Sequence, residues 1–390
     1  MPPPKLKEVR LGIIGVGNIG NSHTHKLLSG KVPGCRLTAH CDINPARLPD
    51  IQGIKHYTGH RALLQSAVLI ATPHYSHTTI GIDALNAGLH VLVEKPISVH
   101  KADCQRLIAA HKNKRQVFSA MFNQRTDPYY QKVRELVRGG ELGTIRRINW
   151  IITGWFRSHA YYASGGWRAT WAGEGGGVLL NQCPHNLDLY QWIFGMPAQV
   201  RGFCQLGRYH DIEVEDDVTA YFQYPDGATG VFITSTGEAP GTNRLEVTGE
   251  QGKLVLENNR LIYTRNEVPM SQFSATTSES FGKPAVLDVQ IPSPANHGEQ
   301  HIGILKNFTN AILHGEELIA PAAEGIHSVE LGNAILQSSL EDKTIKIPLS
   351  APKFEVRLKK LIATSRPSHS TRRSSSPPPP PPATDFSKSF

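Results

Sequence analysis

Across its first 125 residues the chain alternates short apolar runs with longer amphipathic segments, and that alternation constrains the fold more than any other feature of the sequence. Strands are predicted at residues 9–14, 36–41, 67–71, 89–93 and 117–121. Segments such as 76–87 and 101–112 instead carry apolar residues three and four apart, the period of a helix. Strand and helix in strict succession build βαβ units and a doubly wound parallel sheet, with ligands outside the carboxyl ends of the strands. A first domain over 8–125 is expected.

Beyond residue 125 the pattern changes. A helix is predicted at 128–137, a long strand at 144–155, and a series of strands over 198–264 broken by turns such as Pro225-Asp226-Gly227. Strands joined so closely predict a large, mostly antiparallel open sheet, interrupted by a helix at 178–194 and followed by helices at 300–313 and 323–339. The expected architecture is therefore α/β: an N-terminal Rossmann-type parallel sheet and, over 126–350, a C-terminal α+β domain that binds substrate and mediates oligomerisation. From 365 to 390 the chain turns to Ser, Arg and six consecutive prolines, Pro377 to Pro382, with little to bury, and is expected to be a disordered, solvated tail.

The tail also explains the charge. With 41 basic and 33 acidic residues the chain is +8, which raises the question of nucleic acid or acidic membranes. Eight of the basic and two of the acidic residues lie beyond position 352, leaving 33 and 31 over the body, so no nucleic-acid partner is expected. No stretch approaches the roughly 18 apolar residues of a spanning helix. No membrane association is therefore expected either, and a cytoplasmic location is. The five cysteines (Cys35, Cys41, Cys104, Cys183, Cys204) are scattered, lack close CxxC pairing, and read as reduced thiols.

Gly15-Val16-Gly17-Asn18-Ile19-Gly20 follows the first strand directly and opens a helix, the setting in which GxGxxG lets a pyrophosphate approach the backbone at a helix N-terminus. Asp42 closes the second strand 22 residues after Gly20, where a carboxylate accepts from the adenosine ribose hydroxyls and repels a 2′-phosphate. NAD is thus the expected cofactor, in preference to NADP. Arg47 is either an adenine-stacking residue or a surface residue. Two strings lie where a nicotinamide would extend across the sheet: Thr72-Pro73-His74-Tyr75-Ser76-His77 after the fourth strand, and Glu94-Lys95-Pro96 after the fifth. Asn181 and His185, four residues apart on the predicted 178–194 helix, would share one face. His74, His77 and His185 lack any spacing such as HExxH, so no metal is expected, and His77 reads as a strand-end residue near the cofactor.

The ordered set GVGNIG, Asp42, Ala71-Thr72-Pro73, Gly88-Leu89-His90-Val91 leading to Glu94-Lys95-Pro96, Asn123-Gln124-Arg125, and GGGVLLNQCPHNLDLYQWIFG at 175–195 resembles the Gfo/Idh/MocA oxidoreductases over about residues 8–350. The segment 156–171 and NQCPHNLDL look most similar to the glycoside 3-dehydrogenase-like branch. The resemblance implies that Lys95 hydrogen-bonds the reacting hydroxyl, that His185 is the general acid/base, and that Glu94 holds the nicotinamide-side ribose, with Gly15, Gly17, Asn18, Ile19, Gly20, Asp42, Thr72, Pro73, His77, Lys95 and Asn123 completing the cofactor site. Many members carry aspartate at the position of Asn181, and an amide orients a hydroxyl without sharing a proton. Asp188 would orient the imidazole or serve a surface contact. Arg125 is expected near the nicotinamide end.

Aromatic residues crowd Trp155, Phe156, Tyr161, Tyr162, Trp167 and Trp171, interleaved with Arg157, His159 and Arg168. Rings and fork-shaped donors suit the apolar faces and hydroxyl edges of sugars. Trp155 and Trp171 are assigned to packing, and Tyr162, Trp167 and Arg168 to the pocket with Arg125, Asn181, Lys95 and His185. The expected activity is hydride transfer between nicotinamide and a secondary hydroxyl of a sugar, glycoside or cyclitol. The alternatives are an NAD-retaining, redox-neutral glycosidase or lyase and a non-catalytic sugar or NAD sensor. A homo-dimer or homo-tetramer formed through the second sheet is expected.

Overall fold

The computed structural model describes residues 7–63, 66–292 and 294–365. The expected tail beyond Ser365 lies outside them. Six parallel strands, β1 (Val9–Ile14), β2 (Cys35–Cys41), β3 (Lys55–Tyr57), β4 (Ala67–Ile70), β5 (His90–Val93) and β6 (Phe118–Ala120), form one sheet in the order β3-β2-β1-β4-β5-β6. Helices α1 (Asn18–Leu28), α2 (His74–Asn86) and α3 (Lys101–Ala110) cross between strands. The near-continuous apolar runs of β1, β4 and β5 are what a sheet covered on both faces requires, and Leu11, Ile13, Val68, Leu69, Val91 and Leu92 are fully buried. The order reverses between β1 and β4, so the crevice at that switch point lies in front of the glycine turn. Strand β3 has no buried residue and escaped the sequence reading because it lacks an apolar run.

Helix α4 (Pro128–Arg138) leads into a nine-stranded sheet made of β7 (Ile145–Ile152), β8 (Gln199–Leu206), β9 (Glu215–Gln223), β10 (Thr229–Ser235), β11 (Asn243–Gly249), β12 (Gly252–Glu257), β13 (Arg260–Asn266), β14 (Val286–Gln290) and β15 (Ile345–Lys346). All neighbours pair antiparallel except β7 with β10. Strict alternation along β9, with Val218, Ala220 and Phe222 buried against exposed Thr219, Tyr221 and Gln223, gives the sheet one core face and one outer face. The short helix α5 (His159–Ala163) and α6 (Pro184–Phe194) precede β8, α7 (Met270–Thr276) lies between β13 and β14, and α8 (His301–His314), α9 (Gly325–Glu341) and α10 (Ala351–Ala363) follow. The core of this half is built on Trp150, Tyr190, Phe222 and Phe232, all buried.

The predicted 178–194 helix is corrected: only Pro184–Phe194 is helical. Proline is favoured at the first helical position and biases its predecessor away from the helical region, so the helix starts at Pro184. The preceding residues are held as turns instead, with Glu215 Oε1 accepting from the backbone of Gly177 (2.8 Å) and Leu179 (3.1 Å). A Cβ on Gly177 would sit 1.9 Å from the Glu215 carbonyl oxygen, so glycine is required for that approach.

Candidate active site

The glycine turn begins where β1 ends. Gly15 has φ +93°, a conformation open to glycine. A Cβ there would lie 2.6 Å from the Ala71 carbonyl oxygen, and one on Gly20 would lie 2.0 Å from that of Gly15. One on Gly17 would meet nothing within 4 Å. Gly15 and Gly20 therefore close the turn, while Gly17 leaves open the space before α1. Among the described residues no side chain caps α1, so the N–H groups of its first turn, from Asn18 and Ile19 onward, carry their partial positive charge into that space. Asp42 follows β2 and is buried; its Oδ2 accepts from Val16 N at 2.8 Å and its Oδ1 from Asn44 N at 2.9 Å, which fixes the carboxylate beside the turn. Arg47 is exposed in the turn Pro45–Arg47.

Further along the strand ends, the Thr72 hydroxyl and the Asn123 Oδ1 are buried without a hydrogen-bond partner among the described residues, although Asn123 Nδ2 donates to Gln300 Oε1 at 2.7 Å. Buried polar atoms are nearly always paired, so these two, together with the uncapped helix and the glycine cradle, fit a polar ligand such as a dinucleotide with its carboxamide. Pro73 precedes α2. His77 is not a strand-end residue but lies in the first turn of that helix, with its ring nitrogens 2.8 Å from the carbonyl oxygens of Pro96 and Thr72. It ties together the two loops that follow β4 and β5.

Glu94 and Lys95 leave β5. Glu94 is buried and its Oε1 meets His23 Nε2 at 2.6 Å. Burial raises its pKa, but the His23 contact and the charges of His301 and Lys95 prevail and carry it down to about 2. Lys95 Nζ donates to the Asn181 carbonyl oxygen at 2.7 Å. Its pKa is lowered, chiefly by burial, against Glu94 and Glu174 and with Arg157 and Arg168. His185 is the second residue of α6, 3% exposed, and Phe122 meets its ring edge-on at 6.4 Å. Burial, then the charges of Lys95 and His301, push its pKa well down.

Asn181 lies in the turn before α6, not on the helix with His185. Its backbone oxygen holds Lys95, its Oδ1 accepts from Tyr161 Oη and Gln182 Nε2, both at 3.2 Å, and its Nδ2 donates to Glu174. Glu174 was not singled out from the sequence. It is buried beside the three glycines, and its Oε2 accepts from Ala169 N at 2.7 Å. Burial raises its pKa, opposed by Arg168, Asn181 and Lys95 among others. The signal was faint: a lone acid in an apolar, glycine-rich stretch. Tyr161, also not assigned to the site, carries Arg168 Nη1 on its hydroxyl at 2.8 Å. Trp167 packs against His74 at 5.7 Å and against the Arg168 guanidinium at 4.8 Å.

Three assignments move elsewhere. Arg125 is 1% exposed and all three of its nitrogens are engaged: Nε and Nη2 with Asp188 at 2.7 Å each, and Nη1 with Glu324 at 2.5 Å and the Ile319 carbonyl at 3.1 Å. Both carboxylate oxygens of Asp188 are thus engaged by Arg125, and Asp188 is buried rather than at the surface. Losing either partner of such a buried pair strands a charge, at a cost of about 3–5 kcal/mol. Tyr162 belongs to the core, its hydroxyl 2.8 Å from the Thr236 hydroxyl and its ring 4.7 Å from His210. Trp171 is buried, and Trp155 Nε1 reaches Asn186 Oδ1 at 3.3 Å. Among the described residues no group of His, Cys, Asp and Glu is arranged to hold a metal, and no helix is long and apolar enough to cross a membrane.

Residues 9–122 match the family model described as the oxidoreductase family, NAD-binding Rossmann fold, and residues 130–255 match that of the GFO/IDH/MocA C-terminal domain. An inositol 2-dehydrogenase of Rhizobium meliloti is 24% identical over 87% of this chain and 99% of its own length. A levoglucosan dehydrogenase of Pseudarthrobacter phenanthrenivorans is 24% identical over 72% of this chain and 79% of its own. Among solved structures, the WlbA dehydrogenase of Bordetella pertussis in complex with NADH and UDP-GlcNAcA superposes with a TM-score of 0.73 at 23% identity, covering 88% of this chain and 100% of that one. With both halves matched in order by the family's two domain models, the chain belongs to the Gfo/Idh/MocA family of NAD-binding oxidoreductases.

Proposed function

We propose that the protein is an NAD-dependent dehydrogenase that oxidises a secondary hydroxyl of a sugar, glycoside or cyclitol, with Lys95 and His185 acting on that hydroxyl. The observation that carries this reading is the placement of Lys95, held on the loop after β5 by the Asn181 carbonyl, and of the buried His185 imidazole at the start of α6, near enough for the Lys95 charge to act on it, beyond the strand ends that also present the glycine turn. The named activities of the inositol and levoglucosan dehydrogenases support the substrate class.

Bound NAD supplies the hydride acceptor. The chain's own residues handle the rest. Neutral His185 takes the hydroxyl proton, and Lys95 donates a hydrogen bond to the same oxygen, stabilising the negative charge that grows there as the proton leaves. The Asn181 carbonyl, itself held through the Glu174 contact, sets the direction of the Lys95 stem. Glu94, kept ionised by His23, is an acceptor for the nicotinamide-side ribose. Asp42 is the acceptor for the adenosine ribose, and Arg125 acts only from behind, by locking the loop after β6 to α6.

A panel of sugars and cyclitols assayed for NADH formation tests the reading. Lys95→Ala and His185→Ala are each expected to lower turnover about a hundredfold or more, with NAD affinity within a few-fold of wild type. Near-normal turnover in either variant would remove these residues from the chemistry. Release of an aglycone with no accumulation of NADH would replace net oxidation by a redox-neutral reaction.

A further inference from the structure

We propose that the substrate carries an anionic group, a carboxylate or a phosphate ester, which Arg157 and Arg168 receive at the rim of the Lys95 pocket. The proposal rests on the dehydrogenase reading above and narrows its substrate class.

Both guanidinium groups stack on one ring: Arg157 lies 5.1 Å and Arg168 4.6 Å from the Tyr161 centroid. Arg157 is also 5.7 Å from Trp155, and Arg168 is 4.8 Å from Trp167. Their hydrogen bonds go to neutral oxygens, Arg157 Nη1 to the Phe156 carbonyl at 2.9 Å and Arg168 Nη1 to the Tyr161 hydroxyl at 2.8 Å. Neither forms an ion pair with a carboxylate among the described residues, whereas Arg125 and Arg146 do. Both are half-buried, and both lie close enough to Lys95 to disfavour its ammonium.

Three cations thus converge around one ring and one loop. The carboxylates acting on Lys95 are Glu94 and Glu174. Glu94 is held by His23, and the buried Glu174, whose charge also acts on Arg168, accepts from Ala169 N and Asn181 Nδ2, so three cations face two carboxylates that are already engaged. Position 181, beside Lys95, is a neutral amide. An excess of positive charge is costly in a half-buried site, and a ligand that brings a further negative charge relieves that cost. The guanidinium fork matches both carboxylate and phosphate, and stacking on Tyr161, Trp155 and Trp167 orients it in advance. The contact chain from Arg168 through the Tyr161 hydroxyl to Asn181 and Lys95 ties this rim to the reacting end.

The test compares D-glucuronate, D-glucose 6-phosphate, D-glucose and myo-inositol with NAD, in wild type and in Arg157→Gln and Arg168→Gln. At least one of the two acids is expected to exceed D-glucose in kcat/KM by about tenfold or more, the worth of a charge-assisted hydrogen bond, and which acid does so distinguishes carboxylate from phosphate. Each substitution should drive the acid-to-neutral ratio toward one, mainly through KM, and added salt should raise KM for the acid more than for the neutral sugar. Calorimetric binding of the same four compounds to the NADH-loaded protein gives the ordering without turnover. Neutral compounds preferred in both measurements, or ratios unchanged in both variants, would overturn the anionic substrate and leave the dehydrogenase intact. Tighter binding of an acid without NADH formation from any compound would instead overturn the dehydrogenase reading alone.

Discussion

Burial and the charge of Lys95 both disfavour the imidazolium form of His185, so its pKa lies well below the ordinary imidazole value. The neutral ring, the form that accepts a proton, therefore persists as the pH falls through about 6.5, where an exposed histidine would be half protonated. Lys95 is displaced in the same direction, and its useful form is the charged one, so it is lost on the alkaline side sooner than the ordinary lysine value of about 10.4. A plot of kcat/KM against pH is expected to be a bell with its acid limb below about 6.5 and its alkaline limb below about 10.4. An acid limb above the ordinary imidazole value would be incompatible with His185 as a buried neutral base. Asp42 offers a separate test. Its carboxylate meets the Val16 and Asn44 N–H groups, and the lone pairs that remain suit ribose hydroxyls while its charge repels a 2′-phosphate. Asp42→Ala is expected to weaken NAD by about tenfold and to narrow the preference for NAD over NADP; a wild type that already prefers NADP would refute the assignment.

At the scale of elements, the strand–turn–helix unit that begins the chain separates two kinds of glycine. Gly20→Ala forces a Cβ against a backbone oxygen of the same turn, so the melting temperature is expected to fall, by the equivalent of about 1–3 kcal/mol. Gly17→Ala meets nothing within 4 Å among the described residues, so stability should change by less than about 1 kcal/mol, while NAD affinity drops because the methyl fills the approach to the helix end. Melting with and without NAD distinguishes them, and a Gly17→Ala protein stabilised by NAD as much as wild type would mean that the open space before α1 is not a ligand site. This unit was legible in the sequence because glycine spacing, an apolar strand and a helical period all point to one local geometry. The turn at 175–183 was not. Its apolar residues have a helical spacing, but backbone contacts with Glu215, 38 residues on from Gly177, hold it as turns. The Arg125–Asp188 pair was hidden because it is decided by how the loop after β6 packs on α6, and the approach of Glu174 to Asn181 because it follows from that same Glu215-held turn.

For the molecule as a whole, the open question is what covers the outer face of the nine-stranded sheet. Pairing places Phe203, Thr219, Ile233 and Ile151 in one row across β8, β9, β10 and β7, and Arg201, Tyr221, Val231 and Asn149 in the next. Phe203 is 52% and Tyr221 41% exposed, and Val231, Ile233 and Ile151 are only half-buried. At the far end Val286, Leu287 and Val289 of β14 are exposed as well. The opposite face is packed by α6 and α9, and among the described residues nothing buries Phe203 or Tyr221 on the outer face. An antiparallel sheet tolerates water on one side when that side is polar, but adjacent rows in which Phe203, Ile233, Ile151, Tyr221 and Val231 outnumber Thr219, Arg201 and Asn149 make a patch that monomers rarely expose. We propose that a second copy covers it, by face-to-face contact about a two-fold axis, the commonest closed arrangement of identical chains. Sedimentation velocity of the full chain at micromolar concentration should give a mass at least twice the 42.9 kDa of one chain. Tyr221→Arg and Ile233→Arg place unpaired cations in the middle of both rows and should lower that mass, with NAD binding as the control that each variant remains folded. A wild type that sediments as a monomer would leave the patch as solvent-facing surface. An oligomer indifferent to both substitutions would place the contact elsewhere, the exposed edge at β14 being the next surface to test.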